Sequence, residues 1–190
     1  MPVTLFLGVY QFLKKIATWP VWVVSLVLLL GGYYLSTGDL IGAEHVRLVS
    51  AGTPMLDTFF FYTPDRAYEL LTAMGTVGRS AYLFANLLDF FFPLTYTLFF
   101  VISMAMTYTF IYQREDKRNW LLLLPIAAML ADYGENICVR LMLLNFPTPL
   151  TGVALAASLF TPLKFTLIVT TALLILQGNM QVTNRLFGKK

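Results

Sequence analysis

Four long apolar runs, separated by polar segments, organise this chain: Trp19–Ser36, about Tyr82–Tyr108, Trp120–Leu144 and Val153–Leu176. About 20 apolar residues in a helix cross the hydrocarbon of a bilayer, so each run is a candidate span, the first near the short end of the range. Pro20 suits the opening turn of the first, where its missing N–H would be unpaired anyway. Before it, Leu5, Phe6, Val9, Phe12, Leu13 and Ile16 recur at helical spacing and are closed by Lys14 and Lys15, the pattern of a helix lying in the membrane surface. The basic residues follow the apolar run instead of preceding it, which argues against a signal peptide. The fold expected is an all-α membrane protein: a four-transmembrane-helix bundle, one domain over residues 1–190, with an N-terminal interfacial helix.

The longest polar stretch, Thr37–Arg79, holds Asp39, Glu44, Asp57, Asp65, Glu69 and three arginines. Within it Thr63-Pro64 signals a helix start. Tyr68, Leu71 and Met74, three apart, give that helix an apolar face, and Gly75 and Gly78 are expected to end it. The preceding Phe59–Tyr62 run is expected to dip into the membrane interface, which suggests a lid more than a linker.

The spans are not uniformly apolar. The third carries Asp132, Glu135, Asn136 and Arg140, at spacings of three, one and four, hence in one sector of a helix. In the second, Asn86, Asp89, Pro93 and Tyr96 share a face. Pro93 frees the carbonyl of Asp89, tolerated at membrane depth where the backbone lines a cavity or is otherwise satisfied. The fourth carries Lys164. At about 1.5 Å per residue, Asp89 lies roughly 10–13 Å deep, Asp132 and Glu135 roughly 13–18 Å, and Lys164 roughly 17–20 Å. Arg140, only about 6–8 Å in, belongs to the rim. One polar layer therefore spans three helices, and ionisable groups at such depth mark a site by default.

Composition narrows the options. The chain is 58% hydrophobic and 12% charged, about half the charge of a soluble domain. A net charge of +3, with the basic residues at segment ends, gives no footprint for nucleic acid. One cysteine, Cys138, excludes an internal disulfide and paired-thiol redox chemistry. One histidine, His45, argues against bis-His haem or a His-rich zinc site. Metals bound by carboxylates stay open, but no metal or cofactor is assigned. Lys14, Lys15, Arg114, Lys117, Arg118, Arg185, Lys189 and Lys190 fall on one side of a four-span bundle, which places both termini in the cytoplasm and Thr37–Arg79 outside.

Three functions fit such a layer. The first is a pocket for a lipophilic small molecule, with acid/base conversion of isomerase, cyclase or hydrolase type. Asp132, Glu135 and Asp89 are its acid/base candidates, since apolar surroundings raise carboxyl pKa values. Asn136, Arg140, Lys164, Arg79, Asn86, Tyr82 and Tyr96 would bind. The second is a closed ion-pair network in a structural or assembly subunit, although each interhelical polar bond is worth only ~0.6–2 kcal/mol. The third is proton or ion transport, which with four spans would need a homo-oligomer. Membrane lipids are the expected surroundings in all three.

Two runs together, GRSAYLFANLLDFFFPLTYTLFF (Gly78–Phe100) and LLPIAAMLADYGENICVRLMLL (Leu123–Leu144), resemble a group of small bacterial integral membrane proteins with four helices. The shared features are Gly78-Arg79, Tyr82, Asp89, Pro93, Tyr96, Asp132, Glu135 and Asn136. The resemblance implies the four-helix fold and the bacterial inner membrane, and no activity. It also groups Arg79 with the intramembrane acids, facing Asp89 or Glu135.

Overall fold

The computed structural model describes residues 11–13, 15–111 and 117–188, all helix, turn or loop with no strand among them. Beyond residue 18 the described residues form seven α-helices in order: α1 Trp19–Thr37, α2 Ala43–Val49, α3 Pro64–Ala73, α4 Gly75–Leu88, α5 Phe92–Ile111, α6 Leu123–Asn145 and α7 Thr151–Phe187. Four stretches are long and apolar enough to cross a membrane: Trp19–Thr37, Gly75–Tyr108, Trp120–Asn145 and Thr151–Phe187. The chain is thus an all-α bundle of membrane-protein type. Most of the expected interfacial helix lies outside the described residues; its remainder, 11–13 and 15–16, is helical. Residues 113–116 of the charged turn also lie outside them, and Lys117–Leu122 forms a 3-10 turn.

The second span differs most from its sequence reading. It starts at Gly75, seven residues before Tyr82, and breaks at Asp89–Phe91 into α4 and α5. Pro93 sits in the opening turn of α5, so the break falls where proline would otherwise remove a helical bond. Gly75 and Gly78 do not simply end α3. Gly75, at φ +63°, makes the turn between α3 and α4, a left-handed conformation that glycine adopts without strain. Gly78 lies inside α4, pressed on Ser50; a Cβ there would come within 2.6 Å of the Ser50 Cβ. The last span continues through Phe187 as one 37-residue helix, about 55 Å long and well beyond a bilayer's hydrocarbon.

Polarity is segregated along the bundle. At one end, α2, α3 and the 3-10 turn Leu56–Thr58 fold over α4, α6 and α7, burying Val46, Leu56, Leu71, Met74, Val139 and Met142. α3 begins as its sequence implies, with the Thr63 side chain accepting from Arg66 N at 3.2 Å and an inner face of Ala67, Leu70 and Leu71. Of the aromatic run, Phe60 and Phe61 are exposed whereas Tyr62 enters the core. At the other end a smaller cluster joins Met104, Tyr108 and Leu122. α1 contributes little burial; only Ser25 on it is buried, and most of its valines and leucines are exposed. Between the two apolar clusters lies the polar layer.

Candidate functional site

Lys164 is the centre of that layer. Its Nζ lies 3.1 Å from Asp132 Oδ1 and 2.5 Å from Glu135 Oε2. Both carboxylates come from α6, one helical turn apart, and the lysine from α7, so the spacing of three presents both acids to one cation. All three are buried. Each carboxylate is braced by a hydroxyl: Tyr96 OH donates to Asp132 Oδ2 at 3.1 Å, and Thr161 Oγ1 to Glu135 Oε1 at 2.5 Å. α5, α6 and α7 therefore meet at one ion triad. Depth counted along the helices puts these groups at similar levels, and the direct contacts of Lys164 with both carboxylates agree with it. Gly134, between Tyr133 and Glu135, adds to the close fit: a Cβ there would meet the Phe160 ring at 2.8 Å.

Asp89 stands apart from Lys164, at the break between α4 and α5. It accepts from Ser36 Oγ of α1 and, at 3.3 Å, from Asn136 Nδ2 of α6. Asn136 Nδ2 also reaches the Asp89 carbonyl at 3.5 Å, the oxygen that Pro93 leaves without a helical donor. Asn86 Nδ2 donates in turn to the Asn136 carbonyl at 3.2 Å. The asparagines thus staple α4 to α6, and Ser36 adds α1.

The structure places the predicted cations differently. Arg79 faces neither Asp89 nor Glu135. Its guanidinium donates to the Leu71 carbonyl at 2.9 Å and covers the Phe146 ring at 4.0 Å. Arg140 donates to the Leu83 carbonyl at 3.3 Å. Both lie toward the capped end, Arg140 five residues beyond Glu135 and Arg79 ten residues before Asp89, and there backbone oxygens are the acceptors they meet. Tyr82 is fully buried, yet its hydroxyl accepts from Leu56 N at 3.1 Å and so holds the covering segment.

That covering segment brings in residues that sequence reading did not assign. Asp57, in the 3-10 turn, is partly exposed as a residue, but its Oδ1 is closed off from solvent and has no hydrogen-bond partner. Burial pushes its carboxyl up to about 7 against the pull of Lys164, with Asp89, Glu135 and Asp132 adding repulsion. Tyr62 is anchored by its backbone N–H to Ser158 Oγ at 3.0 Å, while its hydroxyl is buried without a partner. Burial, followed by the charges of Glu135 and Asp57, raises its pKa. Asn86 Oδ1 is likewise buried without a partner. The only sequence signal for Asp57 was an acid set beside apolar residues, Met55-Leu56 before it and Phe59–Phe61 after. Periodicity ties neither Asp57 nor Tyr62 to the spans.

Among the described residues, no group of three or more His, Cys, Asp or Glu side chains is arranged to hold a metal ion. Chemically, the layer offers a fixed ammonium, two braced carboxylates, and a third carboxyl able to hold or release a proton near neutrality. The chain matches no family model, no curated protein and no solved structure.

Proposed function

We propose that this protein binds a lipophilic small molecule at its polar layer and exchanges protons with it through the carboxyl groups there. The observation that supports this most is the charge balance of the layer: Asp132 and Glu135 pair with the one ammonium of Lys164, Asp57 lies within its electrostatic reach, and Asp89 is held by neutral groups alone, while Arg79 and Arg140 are turned to carbonyl oxygens. A buried carboxylate without a counter-ion costs several kcal/mol, so such an excess serves little purpose in holding helices together. A carboxyl pushed toward neutrality by burial, beside two carboxyl groups paired to a lysine, is an arrangement that general acid/base catalysis can use.

In this reading the protein sits in a bacterial inner membrane, with its termini in the cytoplasm and the α2–α3 segment outside. The site opens toward the outer leaflet, and lipids are its surroundings. Resemblance to small four-helix bacterial membrane proteins agrees with that placement.

A second reading has one observation in its favour. Lys164 touches both Asp132 and Glu135 directly, which suits a helix-locking network in a structural or assembly subunit. Transport is less well supported, since α7 carries no charged residue between Lys164 and Arg185.

The test is extraction of wild type, Asp132→Asn and Glu135→Gln in native membrane patches, with mass spectrometry of co-purifying lipids and small molecules. A compound enriched with wild type and depleted at least fivefold in both variants is expected. Identical profiles for the three would leave the structural reading.

A further inference from the structure

We propose that the Asp57–Tyr62 segment completes a recognition site for a lipophilic amine, its ammonium head lodged between Asp57 and Tyr62 at the edge of the Lys164 triad. This rests on the small-molecule reading above and names the substrate class for it.

Three buried polar atoms without partners belong to three parts of one neighbourhood: Asp57 Oδ1, Tyr62 OH and Asn86 Oδ1. Leu56 N, one residue before Asp57, is bonded to Tyr82 OH, and Asn86 lies one turn along α4 on the same face as Tyr82. Asp57 acts electrostatically on Tyr62, and Glu135 and Lys164 act on both. Asp57 Oδ1 and Asn86 Oδ1 can only accept while Asp57 is ionised, and a phenol can do either. Native interiors rarely leave such atoms unfilled, so a donor-rich group is called for. A protonated primary amine supplies three N–H donors and one positive charge.

Charge points the same way. Asp57 is faced by Lys164 of α7, by Asp132 and Glu135 of α6, by Asp89 at the end of α4, and by Tyr62 and Tyr82. Lys164 is already committed to Asp132 and Glu135. The carboxyl of Asp57 has two ways to avoid an unpaired buried charge: keep its proton or take an external cation. A metal ion is a poor candidate, since the described residues hold no clustered ligand set for one. An alkyl ammonium satisfies the charge and places its chain against the apolar cluster to which Leu56, Tyr62 and Met142 belong. Protons and the amine then compete for Asp57.

Dodecylamine is the probe, with dodecanol and dodecanoic acid as controls of equal chain length, on the full chain in phosphatidylcholine nanodiscs. Its head stays protonated from pH 5 to 8, as an aliphatic ammonium titrates near 10. Saturable dodecylamine binding at least tenfold tighter than dodecanol is expected, tightening roughly tenfold per unit from pH 5 to 7 and levelling above, as one bound proton is displaced. Asp57→Asn should weaken binding at least tenfold and flatten the pH slope; Tyr62→Phe should weaken it severalfold and keep the slope. Equal affinity for amine and alcohol, no saturable amine binding, or a wild-type slope in Asp57→Asn would overturn the proposal. Should Asp57→Asn fail to fold, the wild-type slope and the amine–alcohol ratio still decide. Saturable dodecanol or dodecanoic acid binding that Glu135→Gln abolishes and Asp57→Asn spares would overturn the amine site while upholding the small-molecule reading.

Discussion

The two sides of the polar layer are built on opposite principles. On the Lys164 side each carboxylate has a cation and a hydroxyl, all from continuous helices. On the Asp57 side the groups come largely from a turn laid over the bundle, and their polar atoms are buried but unfilled. Geometry explains the contrast. Helices α6 and α7 fix both partners of a pair at set spacings, so complementarity is cheap to encode and strong once formed. A covering turn is held by a few backbone anchors, Leu56 to Tyr82 and Tyr62 to Ser158, which position its side chains without neutralising them. The first side therefore supplies rigidity. The second supplies unfilled hydrogen-bonding capacity, which is what a binding surface requires.

The sharpest way to break this contrast is to remove the cation. Lys164→Met leaves Asp132 and Glu135 buried without a partner, and breaking such a pair typically costs about 3–5 kcal/mol. A large fall in thermal unfolding temperature in detergent is the expected result. An unchanged midpoint would show that the triad contributes no net stability.

Next in size is the pH response of the covering turn. The carboxyl of Asp57 is raised from 3.8 to about 7 when docked. The docked state thus binds the proton more tightly than the released one. Its stability is full below about pH 4, falls as pH rises, and levels off above about 7, a loss on the order of 4 kcal/mol. Amide exchange over residues 53–59, corrected for intrinsic rates, should quicken across that window in wild type and stay flat in Asp57→Asn. A flat wild-type profile would place Asp57 in a polar, partnered setting and erase the contrast.

The smallest effects come from two tyrosines that differ only in partnership. Tyr96→Phe strips Asp132 Oδ2 of its donor, with an expected cost of about 1–2 kcal/mol. Tyr62→Phe removes a hydroxyl with nothing bonded to it and should leave stability within about 0.5 kcal/mol or raise it. Equal losses from the two, in the same unfolding assay, would mean that the hydroxyl of Tyr62 is as well served as that of Tyr96.

The sequence by itself determined the helical spans, since continuous apolar runs leave the backbone no alternative to internal hydrogen bonding in a membrane. It also determined the short Thr63-Pro64 helix and the grouping of Asp132, Glu135 and Lys164, because spacing along a helix converts directly into face and depth. The break at Asp89–Phe91 was half legible: Pro93 announced a freed carbonyl, but only packing showed that Asn136 takes it up. Tertiary structure alone decided three things. Arg79 and Arg140 went to carbonyls, because a long flexible cation takes whichever acceptor its anchoring helix brings near. Residues 43–49 became helical within a polar stretch through burial of Val46 against a core assembled from distant segments. Asp57 entered the layer because chain closure, anchored at Leu56 and Tyr62, carried it there. Helical residues read their surroundings from period and depth, whereas a residue in a turn has neither.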